Sequence, residues 1–431
     1  MEKIIKPWLL DPPTPYVFKN ANILDVTSGE ILPNATLIIN DGKVSRVGTT
    51  RDATLEQDIP QGSAILDIEG KFIMPGLIDC HVHIAVTPGY SSLESYNNMS
   101  ERESLIRQPT VLKAMLQRGF TTVRDCGGAT SAMRAAIEEG VLPGPRLFVA
   151  GRALSQTGGH GDMRGQQDER PCCGGELSGI SRIVDGVPEC LRVARDEIRK
   201  GSDFLKIMGG GGVASPTDRI EDLQFSDEEI RAIVTVAQNV DTYVTSHCYT
   251  PRAIQQALRQ GVRGIEHGNY LDIETAKLMK ESGAFLTPTL VAHEMAKQMN
   301  FFPAASADKN LAVYMRGLEA IRIATEVGVT VCYGSDLLGP THLAQSKEFA
   351  IRSTVQTPLQ IIQSATINAA KLLQREDSLG QVKQGFLADF LILPNNPLEN
   401  LTALDSSGTV IVFKDGRLVS GVLDQDSRSR I

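Results

Sequence analysis

Two hydrophobic patterns divide the chain. Across residues 17–70, apolar and polar positions alternate between turn signals, and Asn40-Asp41-Gly42-Lys43 separates two such runs, as expected for a β-hairpin. The pattern returns near the other end, where Lys414-Asp415-Gly416-Arg417 follows the apolar residues 410–413. The two similar ends predict one small β domain assembled from both termini.

Between these ends, short β-rich runs alternate with longer amphipathic stretches, which is typical of βα units around a parallel sheet. Ser226 and Glu229 form a predicted capping box at the start of one helix. We count eight units, with predicted strands at residues 73–80, 120–124, 146–150, 203–208, 243–247, 263–267, 285–289 and 329–334.

Eight parallel strands with intervening helices predict an α/β protein, a (β/α)8 TIM barrel with a small β-sandwich domain formed from both termini. None of the predicted strands is followed by the G-x-G-x-x-G turn of a Rossmann-type sheet. We therefore predict residues 1–72 and 378–431 as the two parts of the β domain and residues 73–377 as the barrel.

Composition narrows the class of protein further. The net charge of -8 and a pI near 5.5 argue against a nucleic-acid partner, and apolar runs are too short for a membrane span. The first twelve residues are interrupted by charge and proline before a signal-like stretch can form. The seven cysteines do not resemble a disulfide framework, and the adjacent Cys172 and Cys173 lack the two-residue gap of zinc and redox motifs. We expect a soluble, cytoplasmic protein.

Four of the seven histidines lie at the ends of predicted strands. His81 and His83 follow an apolar run, and because residues i and i+2 share one face of a strand, both imidazoles point the same way. His247 and His267 end two further strands. A single histidine in such a run is commonly a hydrogen-bonded core residue, whereas four at the same end of a barrel predict metal ligation.

A lysine and an aspartate accompany these histidines. Lys206 lies in an apolar strand, where an unpaired ammonium group is costly. Two explanations stay open: an ion pair with a carboxylate, or carbamylation by carbon dioxide, which converts the lysine into an anionic oxygen ligand. Asp336 follows the last strand and is either a metal ligand that accepts a proton from metal-bound water, or an ordinary turn or N-cap aspartate.

Three residues are candidates for substrate contact. Tyr249 lies two residues after His247 and could donate its hydroxyl group to the scissile carbonyl. His160 lies in a glycine-rich loop, where it could contact an oxyanion or a substrate carboxylate. Arg219 could bind a terminal carboxylate through its two-pronged guanidinium group.

Three other polar residues are expected to be structural or to line the pocket, and not to contact metal. We expect Arg124, at the end of the second strand, to pair with a neighbouring carboxylate and to be structural. His293 and His342 lie in predicted loops beyond the last two strands, where we expect them to line the mouth of the pocket and not to bind metal.

The chain resembles the amidohydrolase superfamily in its binuclear form with a carbamylated lysine. Four segments carry a closer likeness to metal-dependent carboxypeptidases and Xaa-Pro dipeptidases related to imidazolonepropionase, and to ochratoxin-hydrolysing amidases: TTVRD (121–125), TGGHGD (157–162), HCYT (247–250) and GIEHG (264–268). The resemblance implies that His81, His83 and Asp336 bind one metal ion, that His247 and His267 bind a second, and that Lys206 bridges them. Zinc is the implied metal, although manganese or cobalt would suit the same donors.

The resemblance also implies an activity. A hydroxide held between two divalent metal ions would hydrolyse the amide bond of an N-acyl amino acid or a dipeptide, with Tyr249 polarising the carbonyl and Asp336 carrying the proton. An ochratoxin-type amide would fit the same site. The alternatives are a cyclic amidohydrolase that opens imidazolone or hydantoin rings, and a non-catalytic scaffold, which the intact ligand set disfavours. The expected partner is a small molecule, and relatives are commonly homo-oligomers.

Overall fold

The computed structural model describes residues 2–49, 52, 55–96, 99–169, 179–300, 306–404, 410–423 and 428–430. Cys172 and Cys173 lie outside these residues. The strands are β1 (Tyr16–Leu24), β2 (Ile31–Asn40), β3 (Lys43–Thr49), β4 (Ala64–Asp67), β5 (Phe72–Pro75), β6 (Leu77–Val82), β7 (Phe120–Asp125), β8 (Arg146–Val149), β9 (Ala153–Ser155), β10 (Ser181–Ile183), β11 (Leu205–Met208), β12 (Val244–Cys248), β13 (Gly264–His267), β14 (Phe285–Thr287), β15 (Thr330–Val331), β16 (Phe390–Leu393), β17 (Ile411–Lys414), β18 (Arg417–Ser420) and β19 (Arg428–Arg430).

Helices follow most of the central strands. Those described are α1 (Glu2–Ile5), α2 (Leu93–Tyr96), α3 (Glu101–Gln117), α4 (Ser131–Glu138), α5 (Val187–Arg199), α6 (Asp227–Gln238), α7 (Pro251–Arg259), α8 (Ile273–Ser282), α9 (Leu290–Met299), α10 (Ala307–Val327), α11 (Lys347–Arg352), α12 (Pro358–Ser364) and α13 (Ile367–Leu372). The predicted capping box of Ser226 and Glu229 is confirmed at the start of α6. No helix in the described part of the chain combines the length and the hydropathy needed to cross a membrane.

Strands from both ends of the chain share one nine-stranded sheet, in which β5 pairs with β16. Both predicted hairpins form, β2 with β3 and β17 with β18. The turn residues Asp41, Gly42, Asp415 and Gly416 all have positive φ, which matches the right-handed twist of the strands that they join. The division into domains at residues 72 and 378 stays a prediction.

The predicted strand 73–80 is wrong as a single element. β5 belongs to the terminal sheet, whereas β6 pairs in parallel with β7, and the break falls at Pro75-Gly76. A Cβ atom on Gly76 would lie 2.2 Å from Oγ1 of Thr121, so glycine allows the two backbones to approach each other here.

The central strands form two parallel sheets, one of three strands in the order β6-β7-β8 and one of seven in the order β10-β9-β11-β12-β13-β14-β15. Backbone hydrogen bonds join the two sheets, from Cys80 N in β6 to Tyr333 O just after β15 at 2.8 Å and from Asp203 N just before β11 to Val149 O in β8 at 2.8 Å. Aliphatic side chains such as Ile207, Val244 and Ile265 pack in one buried cluster with residues of the surrounding helices. This packing fixes the carboxyl ends of the strands, where the candidate site residues lie.

Candidate metal centre

His81, His83 and Asp336 bring three metal-binding atoms together. The Nε2 atoms of the two histidines are 3.3 Å apart, and Oδ1 of Asp336 lies 3.3 Å from His81 Nε2 and 3.2 Å from His83 Nε2. The three donor atoms lie within 4.8 Å of one another. Two nitrogens and one oxygen converging on one point are a donor set that suits a divalent ion such as zinc.

The Nδ1 atom of each of these two histidines faces a hydrogen-bond acceptor of the protein. His83 Nδ1 donates to Gly127 O at 2.9 Å, because a carbonyl oxygen can only accept. His81 Nδ1 lies 2.7 Å from Oε2 of the buried Glu266. With the protons on Nδ1, both Nε2 atoms carry the lone pairs that a metal ion requires.

His247 and His267 form a second group, with ring centroids 4.5 Å apart and the His267 ring 5.1 Å from that of His81. His247 Nε2 lies 3.3 Å from Gly211 O, and His267 Nδ1 lies 2.6 Å from Thr289 Oγ1. Burial lowers the pKa of both imidazoles well below the ordinary value. The rings are therefore neutral, as metal ligation requires.

Lys206 lines the same cavity and is 1% exposed. The two carboxylates of the centre have other partners: Glu266 pairs with His81 and Arg124, and Asp336 pairs with His81 and His83. Within the described part of the chain, no carboxylate lies within ion-pair distance of Lys206 Nζ. The first explanation of this lysine, an ion pair with a carboxylate, is therefore not what the structure shows.

Unusual backbone conformations turn two of these residues toward the cavity. His267 has φ 72° and Asp336 has φ 49°, in the left-handed region that non-glycine residues seldom adopt. In a regular strand, Glu266 and His267 would point to opposite faces, yet both side chains here approach His81. Such strain is typical of functional sites.

The side chains of the candidate ligands line one cavity, and their chemistry fits two divalent ions. They are His81, His83, Lys206, His247, His267 and Asp336. His81, His83 and Asp336 supply a complete set of three protein ligands for one ion. His247 and His267 supply only two, so a second ion needs another anionic donor, and Lys206 is the cavity residue that carbamylation would convert into one.

Tyr249 also lines this cavity. Its ring centroid lies 4.8 Å from that of His247 and 5.3 Å from that of His267. Burial and the nearby charge of Asp336 raise the pKa of Tyr249 well above its ordinary value. The phenol is therefore protonated at neutral pH and can donate a hydrogen bond.

His160 lines the cavity in a state that differs from the sequence expectation. Its ring stacks on that of His247, with centroids 4.1 Å apart, and its Nδ1 lies 2.8 Å from Ser215 Oγ. Ser215 donates its proton to Asp218, so its oxygen accepts from Nδ1 of His160. Burial lowers the pKa of His160, and the neutral ring then offers Nε2 as an acceptor. The sequence analysis expects contact of His160 with an oxyanion or a substrate carboxylate, which requires a hydrogen-bond donor, whereas this ring presents an acceptor.

Arg219 does not line the cavity. Its side chain is 78% exposed, and its Nη2 atom lies 2.8 Å from Oδ1 of Asp222. A solvent-exposed guanidinium group with a local partner has no geometric relation to the centre, so the predicted carboxylate clamp is not supported here.

Glu266 is the residue that the sequence analysis missed. Its Oε1 pairs with Arg124 Nη2 at 2.5 Å and accepts from Thr245, while its Oε2 holds His81. The expectation that Arg124 is structural and paired with a carboxylate is confirmed. A signal for Glu266 was present, since a carboxylate in an apolar strand needs partners just as Lys206 does.

Replacement of Glu266 with glutamine should weaken metal binding. Glutamine keeps the size of the side chain, but it removes the charge that orients His81 and neutralises Arg124. We expect metal affinity and kcat/KM to fall by about 10- to 100-fold, the usual cost of losing a residue that supports a metal ligand. Zinc retained after dialysis measures this, and Glu228→Gln on the exposed face of α6 is the matched control. Equal retention in both variants would contradict the role of Glu266.

Comparison with known proteins identifies the family. Residues 72–419 match the Amidohydrolase family, and the chain belongs to this family. An ochratoxinase from Aspergillus niger is 33% identical over 429 residues, covering 93% of this chain and 86% of that protein.

Solved structures include a prolidase complexed with N-methylphosphonate-L-proline, which is 42% identical with a TM-score of 0.89, covering 94% of this chain and 99% of that chain. A Xaa-Pro dipeptidase with methionine bound in its active site is 29% identical with a TM-score of 0.83, covering 94% of this chain and 99% of that chain. The resemblance stated from the sequence is confirmed.

Proposed function

We propose that this chain is a binuclear metal-dependent amidohydrolase that cleaves the amide bond of N-acyl amino acids or dipeptides. One observation carries the proposal: the four imidazoles, the carboxylate and the buried lysine of the proposed ligand set all line a single cavity. The relatives support the substrate class, because the solved structures include a prolidase complexed with N-methylphosphonate-L-proline and a Xaa-Pro dipeptidase. An ochratoxin-type amide is a further substrate of the same class, as the ochratoxinase relative suggests.

In this proposal, His81, His83 and Asp336 would hold one ion, His247 and His267 would hold the other, and Lys206 would bridge them as a carbamate. The ammonium group of Lys206 first loses one proton to solvent. Carbon dioxide then forms a bond to the neutral Nζ and a second proton leaves to solvent, so that the cation becomes an anionic oxygen donor. When bound, two divalent ions, zinc first among them, lower the pKa of a water molecule and polarise the scissile carbonyl.

Residues of the chain then orient the substrate and transfer protons. Tyr249 donates its hydroxyl proton in a hydrogen bond to the carbonyl oxygen as negative charge develops there. Asp336 takes a proton from the attacking water and delivers it to the leaving nitrogen, which departs as a neutral amine. His160, held through Ser215 and Asp218, offers Nε2 as an acceptor to an N–H or O–H group at the cavity wall.

We also propose that eight strands of the two parallel sheets, β6, β7, β8 and β11 to β15, together form the predicted eight-stranded barrel. The hydrogen bonds from Cys80 to Tyr333 and from Asp203 to Val149 support this closure, since one joins β6 to the segment after β15 and the other joins β8 to the segment before β11. Strands from both termini would form the predicted sandwich domain beside the barrel. A homo-oligomeric state and a cytoplasmic location stay predictions.

A substrate panel tests the proposed function. Zinc-loaded protein with bicarbonate should hydrolyse a dipeptide, an N-acyl amino acid or an amide of an aromatic acid with phenylalanine. Their kcat/KM values should exceed those for hydantoin and imidazolone rings by at least about 10-fold, a difference of about 1.4 kcal/mol in transition-state binding. Opening of the rings alone would favour the cyclic amidohydrolase, and no turnover with two ions bound would favour the scaffold.

A further inference from the structure

Thr289, the residue directly before α9, adopts a backbone conformation that threonine seldom adopts. Its φ is 49°, in the left-handed region, and the residue is fully buried. A β-branched residue is strained in this region, and such strain persists only where the surrounding structure holds it, as at functional sites. The contacts of the Thr289 side chain explain why a glycine does not stand here.

The hydroxyl group of Thr289 does not cap its own helix. A threonine at this position usually accepts a hydrogen bond from a backbone N–H of the first turn, but no such bond to Thr289 forms in the described first turn of α9. Glu348 on α11 takes this place from outside the helix, with its Oε2 atom 2.7 Å from Val291 N. The Thr289 hydroxyl group is therefore left for another partner.

That partner is His267, whose Nδ1 atom lies 2.6 Å from Oγ1 of Thr289. The methyl group of Thr289 faces Gly334, where an added Cβ atom would lie only 3.2 Å from Cγ2 of Thr289. A β-branched side chain has few χ1 rotamers. Packing of the methyl group against Gly334 therefore directs the hydroxyl group toward His267.

This contact decides which nitrogen of His267 is available to a metal ion. With Nδ1 bonded to Thr289, Nε2 is the ring nitrogen that remains for ligation. A metal ion binds the lone pair of a neutral imidazole, so the proton must be on Nδ1, where Oγ1 of Thr289 can accept it.

We propose that Thr289 is a positioning residue for His267: its hydroxyl group accepts the Nδ1 proton, orients the ring and keeps Nε2 ready for the metal ion. The inference rests on the proposed function and deepens it. Apart from the Lys206 bridge, only His247 shares this ion with His267, so a misoriented His267 should weaken this ion and not the one at His81, His83 and Asp336.

Two variants separate the hydroxyl group from the packing of the side chain. Thr289→Val keeps the branched shape and removes the hydroxyl group, which leaves Nδ1–H of His267 without its acceptor and favours the proton on Nε2. Thr289→Ser keeps the hydroxyl group and removes the methyl group. The matched control is Thr275→Val on α8, because Thr275 is also fully buried, accepts from Gln255 Nε2 at 2.9 Å and does not line the cavity.

Zinc titration against a chelating indicator gives the affinity of each of the two ions. We expect Thr289→Val to weaken the more weakly held ion by about 10- to 100-fold, the usual cost of losing a residue that supports a metal ligand, and to leave the other ion unchanged. Thr289→Ser should keep most of the affinity, and Thr275→Val should match the wild-type protein. Melting temperatures of the metal-free proteins verify that they are folded, and Thr289→Ala carries the same expectation if Thr289→Val unfolds.

A second measurement needs no metal. In metal-free protein with 15N-labelled histidine, NMR shows which ring nitrogen carries the proton, and the signal lost in His267→Gln identifies His267. We expect the proton on Nδ1 in the wild-type protein and in Thr289→Ser, and a shift toward Nε2 in Thr289→Val.

Three results would overturn the inference while the proposed function stands: unchanged zinc affinities in Thr289→Val, a larger loss in Thr289→Ser than in Thr289→Val, or a proton on Nε2 of His267 in the wild-type protein. If the wild-type protein binds fewer than two zinc ions, the proposed function fails and the inference fails with it. If it binds two ions but cleaves no acyclic amide, the proposed function fails and the zinc affinities still decide the role of Thr289.

Discussion

Replacement of Lys206 with alanine is expected to lower kcat/KM by more than about 1,000-fold. The substitution removes the proposed bridging donor, and the loss of even one hydrogen-bond donor to a developing oxyanion costs about 100- to 1,000-fold. Because His247 and His267 alone offer only two donor atoms, we also expect the zinc content to fall from two ions per chain toward one. Hydrolysis of a dipeptide and elemental analysis measure the two effects.

Two controls distinguish loss of the bridging ligand from general damage to the fold. Lys277→Ala, on the exposed face of α8, should keep wild-type activity and zinc content. Formate or acetate added to Lys206→Ala should restore part of the activity, because a free carboxylate can occupy the space of the missing carbamate. If Lys206→Ala keeps a tenth or more of wild-type activity, or loses it only because the protein unfolds, the bridging role is not supported.

Replacement of Tyr249 with phenylalanine is expected to lower kcat by about 100- to 1,000-fold, the usual cost of one oxyanion donor. The ring would still pack against His247 and His267, so zinc content should not change. KM should change little, because the hydrogen bond strengthens mainly as charge develops on the carbonyl oxygen. Separate measurement of kcat and KM tests this prediction.

Tyr16→Phe in β1 of the terminal sheet is the matched control and should match the wild-type enzyme. A normal kcat for Tyr249→Phe would show that another group polarises the carbonyl. A raised KM with an unchanged kcat would assign Tyr249 to ground-state substrate binding.

Local patterns were sufficient to predict much of this fold and site. The period of two in a strand predicted that His81 and His83 share a face, and their Nε2 atoms are 3.3 Å apart. The rule that parallel strands end at one edge predicted that Lys206, His247 and His267 meet these histidines, and all of them line one cavity. Asp-Gly pairs predicted both hairpins of the terminal sheet.

These local patterns could not predict contacts between residues far apart in the sequence. Glu266 holds His81, which lies 185 residues earlier, and no local spacing relates the two. The tautomer of His160 depends on Ser215, 55 residues later. The sequence shows that Arg219 has a guanidinium group, but it does not show that the nearby Asp222 already pairs with this group. The predicted carboxylate clamp therefore found no support in the structure.

Backbone conformation was the other feature that the sequence patterns did not predict. The positive φ of His267 and Asp336 turns their side chains toward the centre, and residue type alone does not mark these positions, because Asp and His are enriched in the left-handed region but still seldom adopt it. The break between β5 and β6 did have a signal in Pro75-Gly76, but the apolar residues on either side made the two strands look like one.

Anomalous diffraction at the zinc edge, from crystals of zinc-loaded protein grown with bicarbonate, shows directly whether two metal ions bind around Lys206. We predict two peaks, one between His81, His83 and Asp336 and one beside His247 and His267, with carbamate density on Nζ of Lys206 lying between them. A single peak, or two peaks with an unmodified Lys206 turned away from both, would contradict it.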